Sequence, residues 1–424
     1  MISPSSAERR RLEALDGPAL EEHQLARLNA LLAAILPHNR FYAEKLAGIQ
    51  CPLASLDQLN SLPLTHKDEL IASPEAHGAA GHRTYPLEQY VRYHQTSGTR
   101  GRPLPVLDTA ADWRWWIETW QFVLDAARVS ASDVALLAFS FGPFVGFWSA
   151  FDALVERGAL VVPGGGMNTV GRLQLLRSSR ATLLLCTPSY ALHLAEVGEQ
   201  HQIDVGHLGV RCLILAGEPG GSIAAVRSRI EDAWQAEVVD HAGATEVGPW
   251  GYGDAQGRGL HVIESEFIAE FRSVETGKPA GEGELAELIL TTLGRAGSPV
   301  IRYRTGDLVR PSWNAAGENR FVFLPGGIVG RSDDMLVIRG VNIFPSAIEQ
   351  ILRSFPEVVE YRLTVYKLGQ MDHLRIDIED RLNEPARIRD ELRLRLGLKV
   401  EVETVAPGTL PRFEGKGKRL VDER

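Results

Sequence analysis

The chain has 424 residues, 44% hydrophobic and 23% charged, with a formal net charge of -9 at pH 7. That length exceeds one small core and points to two or three domains of a soluble globular protein; the acidic balance leaves no electrostatic footprint for nucleic acid. No apolar run is long enough to span a bilayer, so no membrane partner is expected. Cys51, Cys186 and Cys212 lie far apart without metal-ligand spacing and read as reduced thiols, and "MISPSSAERRRLEALDG" lacks the apolar core of a signal peptide, which gives a cytoplasmic address by default.

In chain order, residues 18 to 48 carry apolar positions at helical spacing, and "LPLTHKDEL" near residue 62 looks like a capped helix start, so a helical layer comes first. "RYHQTSGTRGRPLPV" at 92 to 106 reads strand, loop, strand. From about 133 to 241, short β-rich runs ("DVALLAF", "ALVVP", "ATLLLC", "VRCLILAG", "AEVVDHA") alternate with helical ones ("FWSAFDALVERG", "VGRLQLLRSS", "SYALHLAEVGEQ", "IAAVRSRIEDAW"), the signature of a parallel sheet with crossover helices. Residues 264 to 325 change character: "AELILTTL" and "PVIRYRTGDLVRP" read as strands joined by Gly-rich turns, as in a small antiparallel or barrel-like unit. After "GGIVGRSDDMLVIRGVNIFP" a mixed α and β pattern restarts, which places a boundary near residue 331. The expected fold is therefore α/β, with a large domain over 1–330 of mainly parallel sheet plus the barrel-like unit, and a small α+β domain over 331–424.

The loop at 96 to 102 does not fit the G-x-x-x-x-G-K-[ST] phosphate loop. Gly98 and Gly101 are three apart, Arg102 stands where Lys and a hydroxyl are wanted, and Pro103 and Pro105 prevent a helix from following. A hairpin tip offering the hydroxyls of Thr96, Ser97 and Thr99, free N–H groups and Arg102 can still wrap a polyphosphate; a solvated turn is the ordinary alternative. Four further stretches bear on the choice: "HAGATEVG" (241 to 248), "YRTGDLV" (303 to 309), "GRSDDMLVIRG" (330 to 340) and "LPRFEGKGKR" (410 to 419). Taken singly they read as an N-cap region, a turn, a charged linker and a solvated basic tail.

Together and in this order they resemble the adenylate-forming superfamily of acyl-CoA synthetases, adenylation domains and luciferases. "TSGTRGRP", "CTPSYALHLAE", "LAGEPGGSI", "IRYRTGDL", "GRSDDMLVIRGVNIFP" and "EGKGKR" are similar to the text of the phenylacetate-CoA ligase family, as is "HNRFYAEKL", so the likeness covers essentially the whole chain. The resemblance implies ATP-dependent conversion of an organic acid to an acyl adenylate, then transfer to the thiol of coenzyme A. It implies that Thr96, Ser97, Gly98, Thr99, Gly101 and Arg102 hold the β- and γ-phosphates, that Thr245 donates to the α-phosphate and that Glu246 holds Mg2+. Gly217, Glu218 and Pro219 would border the adenine, with Ala242 and Gly243 beside it. Asp307 would accept from both ribose hydroxyls, with Arg331 near ribose and phosphate. Lys416 would neutralise charge as the carboxylate attacks phosphorus, Lys418 being the runner-up. Asp333 would be the hinge on which a mobile C-terminal domain turns.

Departures qualify the likeness. Ala242 stands where the superfamily usually has an aromatic residue on adenine, and Arg102 where it usually has Lys. The region after Glu246 keeps His261 but no cysteine, so the zinc of several relatives is not expected. Phe139, Phe141, Phe144, Phe147 and Trp148 either line an aryl pocket or belong to the core. Two alternatives stay open: loading the acyl group onto a carrier-protein phosphopantetheine instead of free CoA, and a nucleotide-binding pseudoenzyme, which Glu246, Asp307 and Lys416 argue against. A homodimer is a further open possibility.

Overall fold

The computed structural model describes residues 5–71, 81–96, 103–139, 141–146, 148–254, 256–313, 317–334, 336–338, 341–368, 371–396, 400–413 and 419–424. Four helices come first: α1 (Ser6–Glu13), α2 (Gly17–Ile35), α3 (Arg40–Lys45) and α4 (Lys67–Leu70). Asp16 caps α2 by accepting from Ala19 N at 3.0 Å, with Pro18 in the first turn, where a missing N–H costs nothing. The apolar stripe of α2 (Leu28, Leu31, Leu32, Ile35) packs with Leu53, Leu59 and Leu62 on Ile268, Leu293 and Ile301 from far along the chain. The helical layer thus covers the later antiparallel unit.

Strands β1 (Tyr90–Gln95) and β2 (Pro105–Thr109) pair antiparallel, as the strand, loop, strand reading expects. Next come α5 (Ala110–Ala126), β3 (Val134–Leu137), α6 (Trp148–Arg157), β4 (Leu160–Pro163), α7 (Thr169–Ser179), β5 (Leu183–Cys186), α8 (Pro188–Gln200), β6 (Cys212–Leu215), α9 (Ala224–Trp234) and β7 (Glu237–Ala244). Strands β8 (Gly248–Gly253), β9 (Gly259–Val262), β10 (Phe267–Ser273), β11 (Ala286–Thr292), β12 (Tyr303–Val309), β13 (Phe323–Pro325) and β14 (Gly330–Arg331) follow.

The main sheet runs β4-β3-β5-β6-β7 in parallel and continues antiparallel through β8, β9 and β13. Every residue of β5 and β6 is buried, because helices cover both faces. Successive residues alternate between two cores: Leu183, Leu185 and Ile214 join α5 and α6, whereas Leu184, Leu213 and Leu215 join α7, α8 and α9. Strands β10, β11 and β12 of the unit at 264 to 325 form an antiparallel sheet that β14, just beyond it, completes in the order β10-β11-β12-β14, while β13 joins the main sheet.

The C-terminal part has its own core, from Leu336 to Val402. It holds the hairpin β15 (Leu336–Ile338) and β16 (Val341–Ile343), then α10 (Pro345–Arg353), β17 (Val358–Leu368), β18 (Met371–Asp380), α11 (Pro385–Leu396), β19 (Glu401–Thr404) and β20 (Leu420–Asp422), with sheet order β19-β18-β17-β20. Among the described residues no helix is long and apolar enough to cross a membrane.

Candidate active site

The loops at the carboxyl ends of β6 and β7 lie where open α/β sheets bind ligands. After β6 the chain turns through Gly217, whose φ of +95° suits glycine, and Glu218, whose carboxylate accepts from Ser189 N at 2.7 Å. Pro219 is half-buried. Two glycines on, Ser222 donates its hydroxyl to half-buried Asp240 at 2.6 Å, and desolvation pushes the Asp240 carboxyl up to about 6. A Cβ on Gly221 would meet that carboxylate at 2.6 Å. The turn assigned to the adenine border is thereby tied to β7, through Ser222 of the "LAGEPGGSI" motif and Asp240, which was given no role.

Residues 244 to 248 form a tight turn joining β7 to antiparallel β8, closed by Val247 N on Ala244 O at 3.1 Å; no helix follows, so the N-cap reading of Thr245 and Glu246 is set aside. Ala242 is buried in the large core and faces Gly251, while Gly243 is exposed. Thr245 is half-buried and Glu246 only 7% exposed. Burial alone would raise the Glu246 carboxyl; the Lys67 ammonium at 2.8 Å and the Tyr303 hydroxyl, donating at 3.0 Å, hold it below the usual carboxylate range. Lys67 arrives because Thr65 bonds to the edge of β12, Thr65 N to Arg302 O at 2.8 Å and Arg304 N to Thr65 O at 3.0 Å. A buried, ionised carboxylate already matched to a cation suits a single protein ligand for a divalent ion whose other ligands come from phosphates.

Under the turn lies Arg295, fully buried. Its Nη1 donates to the carbonyls of Glu246 at 2.9 Å and Thr245 at 3.2 Å, and its Nε pairs at 2.7 Å with Asp108, equally buried. Asp108 also accepts from Trp116 Nε1 at 3.2 Å. Sequence reasoning passed over Lys67, Tyr303, Arg295 and Asp108. Lys67 sits inside "LPLTHKDEL", where it looked like part of a helix start.

Across the site, Asp307 is buried in β12 opposite Arg331 of β14, and Arg331 Nη1 donates to its Oδ1 at 2.7 Å. Gly306 has φ +76°, and a Cβ there would meet the same guanidinium at 2.9 Å. The two residues assigned to ribose are therefore neighbours. Thr96 lies at the neck of its loop: its N donates to Leu104 O, and its hydroxyl accepts from Leu104 N, both at 3.0 Å. Ser97, Gly98, Thr99, Gly101 and Arg102 lie outside the described residues, as do Phe147, Lys416 and Lys418.

Of the aromatic group, Phe141 meets Trp148 edge-on at 4.8 Å, Trp148 Nε1 donates to Gly142 O at 3.1 Å, and Phe139 packs on the large core. Phe144 is 40% exposed. Gln95 N donates to Pro143 O at 2.7 Å, fastening the aromatic loop to the neck of the hydroxyl loop. Asp333 lies in a single 3-10 turn, Ser332–Asp334, between the two cores. Among the described residues no group of three or more His, Cys, Asp or Glu side chains is arranged to hold a metal.

Residues 340–424 match the family model described as AMP-binding enzyme C-terminal domain. A phenylacetate-coenzyme A ligase of Thermus thermophilus is 30% identical, the alignment covering 96% of this chain and 96% of the relative. Two solved structures of 2-hydroxyisobutyryl-CoA ligase, each 27% identical, cover 99% of this chain. The postadenylation state in complex with R3-HIB-AMP, of which 94% is covered, gives a TM-score of 0.92; the thioesterification state with 2-HIB-AMP and CoA, of which 93% is covered, gives 0.74. The chain is thus more similar to the first of these two structures than to the second. With the motif residues in these places and that likeness along nearly its whole length, the chain belongs to the phenylacetate-CoA ligase family of adenylate-forming enzymes.

Proposed function

We propose that the protein is an AMP-forming acid-CoA ligase acting on an aryl or arylalkyl carboxylic acid. The observation that carries it is an ionised buried Glu246 on an arginine-braced turn at the end of β7, tied by the Tyr303 hydroxyl to β12, the strand that also carries Asp307 with its partner Arg331. A carboxylate is a poor acyl donor, because its charge repels nucleophiles and oxide is a hopeless leaving group. In the first half-reaction its oxygen attacks the α-phosphorus of ATP and pyrophosphate leaves; in the second the thiol sulfur of CoA attacks the acyl carbon and AMP leaves.

The residues divide this work. Arg295 holds the Thr245–Glu246 turn so that Thr245 can donate to the α-phosphate and Glu246 can face the phosphates' metal. Mg2+, bound by Glu246 and phosphate oxygens, would supply charge neutralisation there. Asp307 receives ribose hydroxyls with its carboxylate oriented by Arg331. Lys416 neutralises the charge that develops in the first half-reaction. Phe139, Phe141, Phe144 and Trp148 offer a flat aromatic surface for an aryl acid. The division at residue 331 with a hinge at Asp333, a cytoplasmic address, a homodimer and the lack of structural zinc belong to the same reading.

The test is acid-dependent exchange of labelled pyrophosphate into ATP over a panel that includes phenylacetate, 2-hydroxyisobutyrate and longer aliphatic acids, followed by free CoA against a carrier protein as acceptor. Exchange led by an arylalkyl acid and completion with CoA are expected. Exchange with no acid would overturn the reading, and transfer only to the carrier protein would replace its second half.

A further inference from the structure

Arg412 and Arg419 stand on either side of residues 414–418, the stretch that contains Lys416. Each is rooted in the C-terminal sheet and reaches α8 of the large part. Arg412 donates to Glu379 at 2.8 Å and, through Nε and Nη2, to both oxygens of Glu196 at 3.2 Å. Arg419 donates to Glu360 at 2.6 Å and to the Ser189 hydroxyl at 3.1 Å. Arg412 therefore forks across two carboxylates, one from each part, a geometry that a planar guanidinium keeps only while both stay in place.

Helix α8 is a firm anchor. Thr187 caps it, Pro188 opens it, Trp234 Nε1 donates to Ala191 O at 3.0 Å, and buried Arg172 donates to the Tyr190 hydroxyl at 2.6 Å. The seam itself is not sealed. A cavity of about 750 Å3 opens among α8, α9 and the C-terminal part, and Ser189, Glu196, Arg412 and Arg419 all line it. Contacts that water can reach are contacts that can part without stranding a buried charge.

We propose that Glu196 is a positioning residue for adenylation: by gripping Arg412, while Ser189 grips Arg419, it fixes both ends of the lysine-bearing stretch against α8 and must let go before thioester formation. The proposal rests on the two half-reactions argued above. Glu196 acts through Arg412 and touches neither ATP nor acid. Its removal should therefore slow adenylation without weakening ATP binding, and should spare or hasten the second half-reaction, which begins with the grip released.

The experiment measures pyrophosphate exchange with phenylacetate, or with the acid of the panel that exchanges fastest, and thioester formation from the matching synthetic acyl adenylate. Wild type, Glu196→Ala, Glu196→Gln, Glu196→Asp and Lys416→Ala are compared as full-length protein. For Glu196→Ala the expected result is a loss of about tenfold in exchange kcat, a KM for ATP within about twofold of wild type, and unchanged or faster thioester formation. Glu196→Asp should recover part of the loss. Added salt should slow wild-type exchange more steeply than that of Glu196→Gln, because in the wild type screening acts on the Glu196–Arg412 pair as well as on the phosphate contacts that both share. Unchanged exchange in Glu196→Ala, or equal loss of both half-reactions, overturns the proposal. If Lys416→Ala impairs exchange while Glu196→Ala does not, the proposal alone fails; if Lys416→Ala leaves exchange intact, the lysine reading fails and takes the proposal with it.

Discussion

Two arginines in this molecule bind carboxylates from distant parts of the chain in opposite surroundings. Arg295 and Asp108 are both 0% exposed and brace the turn that carries Thr245 and Glu246, whereas Arg412 and Glu196 keep 20% and 25% of their side chains exposed where the C-terminal part meets α8. A charge pair taken wholly out of water is costly to separate, so it suits a floor that must not move during either half-reaction. A half-buried pair beside an open cavity has little net strength, so it suits the proposed seam, which would part between the half-reactions. Under the proposed mechanism the burial of each pair matches how far its two halves would travel.

The largest expected effect comes from breaking the floor. Arg295→Met leaves Asp108 desolvated with Trp116 Nε1 as a donor, and should cost roughly 3–5 kcal/mol of unfolding free energy in a denaturant titration. Adding Asp108→Leu should restore much of that stability. It should not restore pyrophosphate exchange, because the carbonyls of Thr245 and Glu246 still lack their donor. Recovery of activity together with stability would mean that Arg295 is only a core residue.

A smaller effect separates floor from seam by pH. His82 is fully buried beside Arg295, and burial, with that guanidinium, pushes its ring down to about 4. The unfolded chain protonates it near 6.5 and the folded chain does not, so its contribution is present above pH 6.5 and is lost as pH falls towards 4, by about 1.4 kcal/mol per unit. Asp240 and Glu264, raised by burial to about 6 and about 7, act in the opposite sense, so the difference between variant and wild type is the quantity to read. His82→Leu should gain stability over wild type as pH drops from 7 to 5. The Glu196 carboxyl of the seam stays ionised throughout that window, because His193 and Arg412 hold it down to about 2. The smallest effect is on the seam itself: Glu196→Ala should change unfolding free energy by less than about 1 kcal/mol, whatever it does to the half-reactions.

The comparison also explains what the sequence made legible. The β and α runs from 133 to 241 became β3 to β7 with α6 to α9, because each run is local and two-faced burial writes it as an apolar stretch. The acidic residue of "YRTGDLV" was expected at a strand end, whereas Asp307 lies inside β12. Helix α5 was passed over: most of "AADWRWWIETWQFVLDA" is buried, so no polar face marks its period. The charge pairs were illegible in a stronger sense. Arg295 and Asp108 are 187 positions apart, Arg412 and Glu196 216 apart, and nothing in either neighbourhood names the partner. Lys67 was hidden differently, its cation reading as part of a capped turn until Thr65 was seen bonding to β12.

The central claim is that one arrangement serves adenylation and must be left for thioester formation. Asp333→Pro tests it most directly, since proline fixes φ near -65° and restricts Ser332 as well, at the turn between the two cores. On folded protein, pyrophosphate exchange and thioester formation from supplied acyl adenylate are timed separately. The account predicts that exchange persists at a substantial fraction of the wild-type rate while thioester formation falls by at least about tenfold. Both rates remaining near wild type would contradict it.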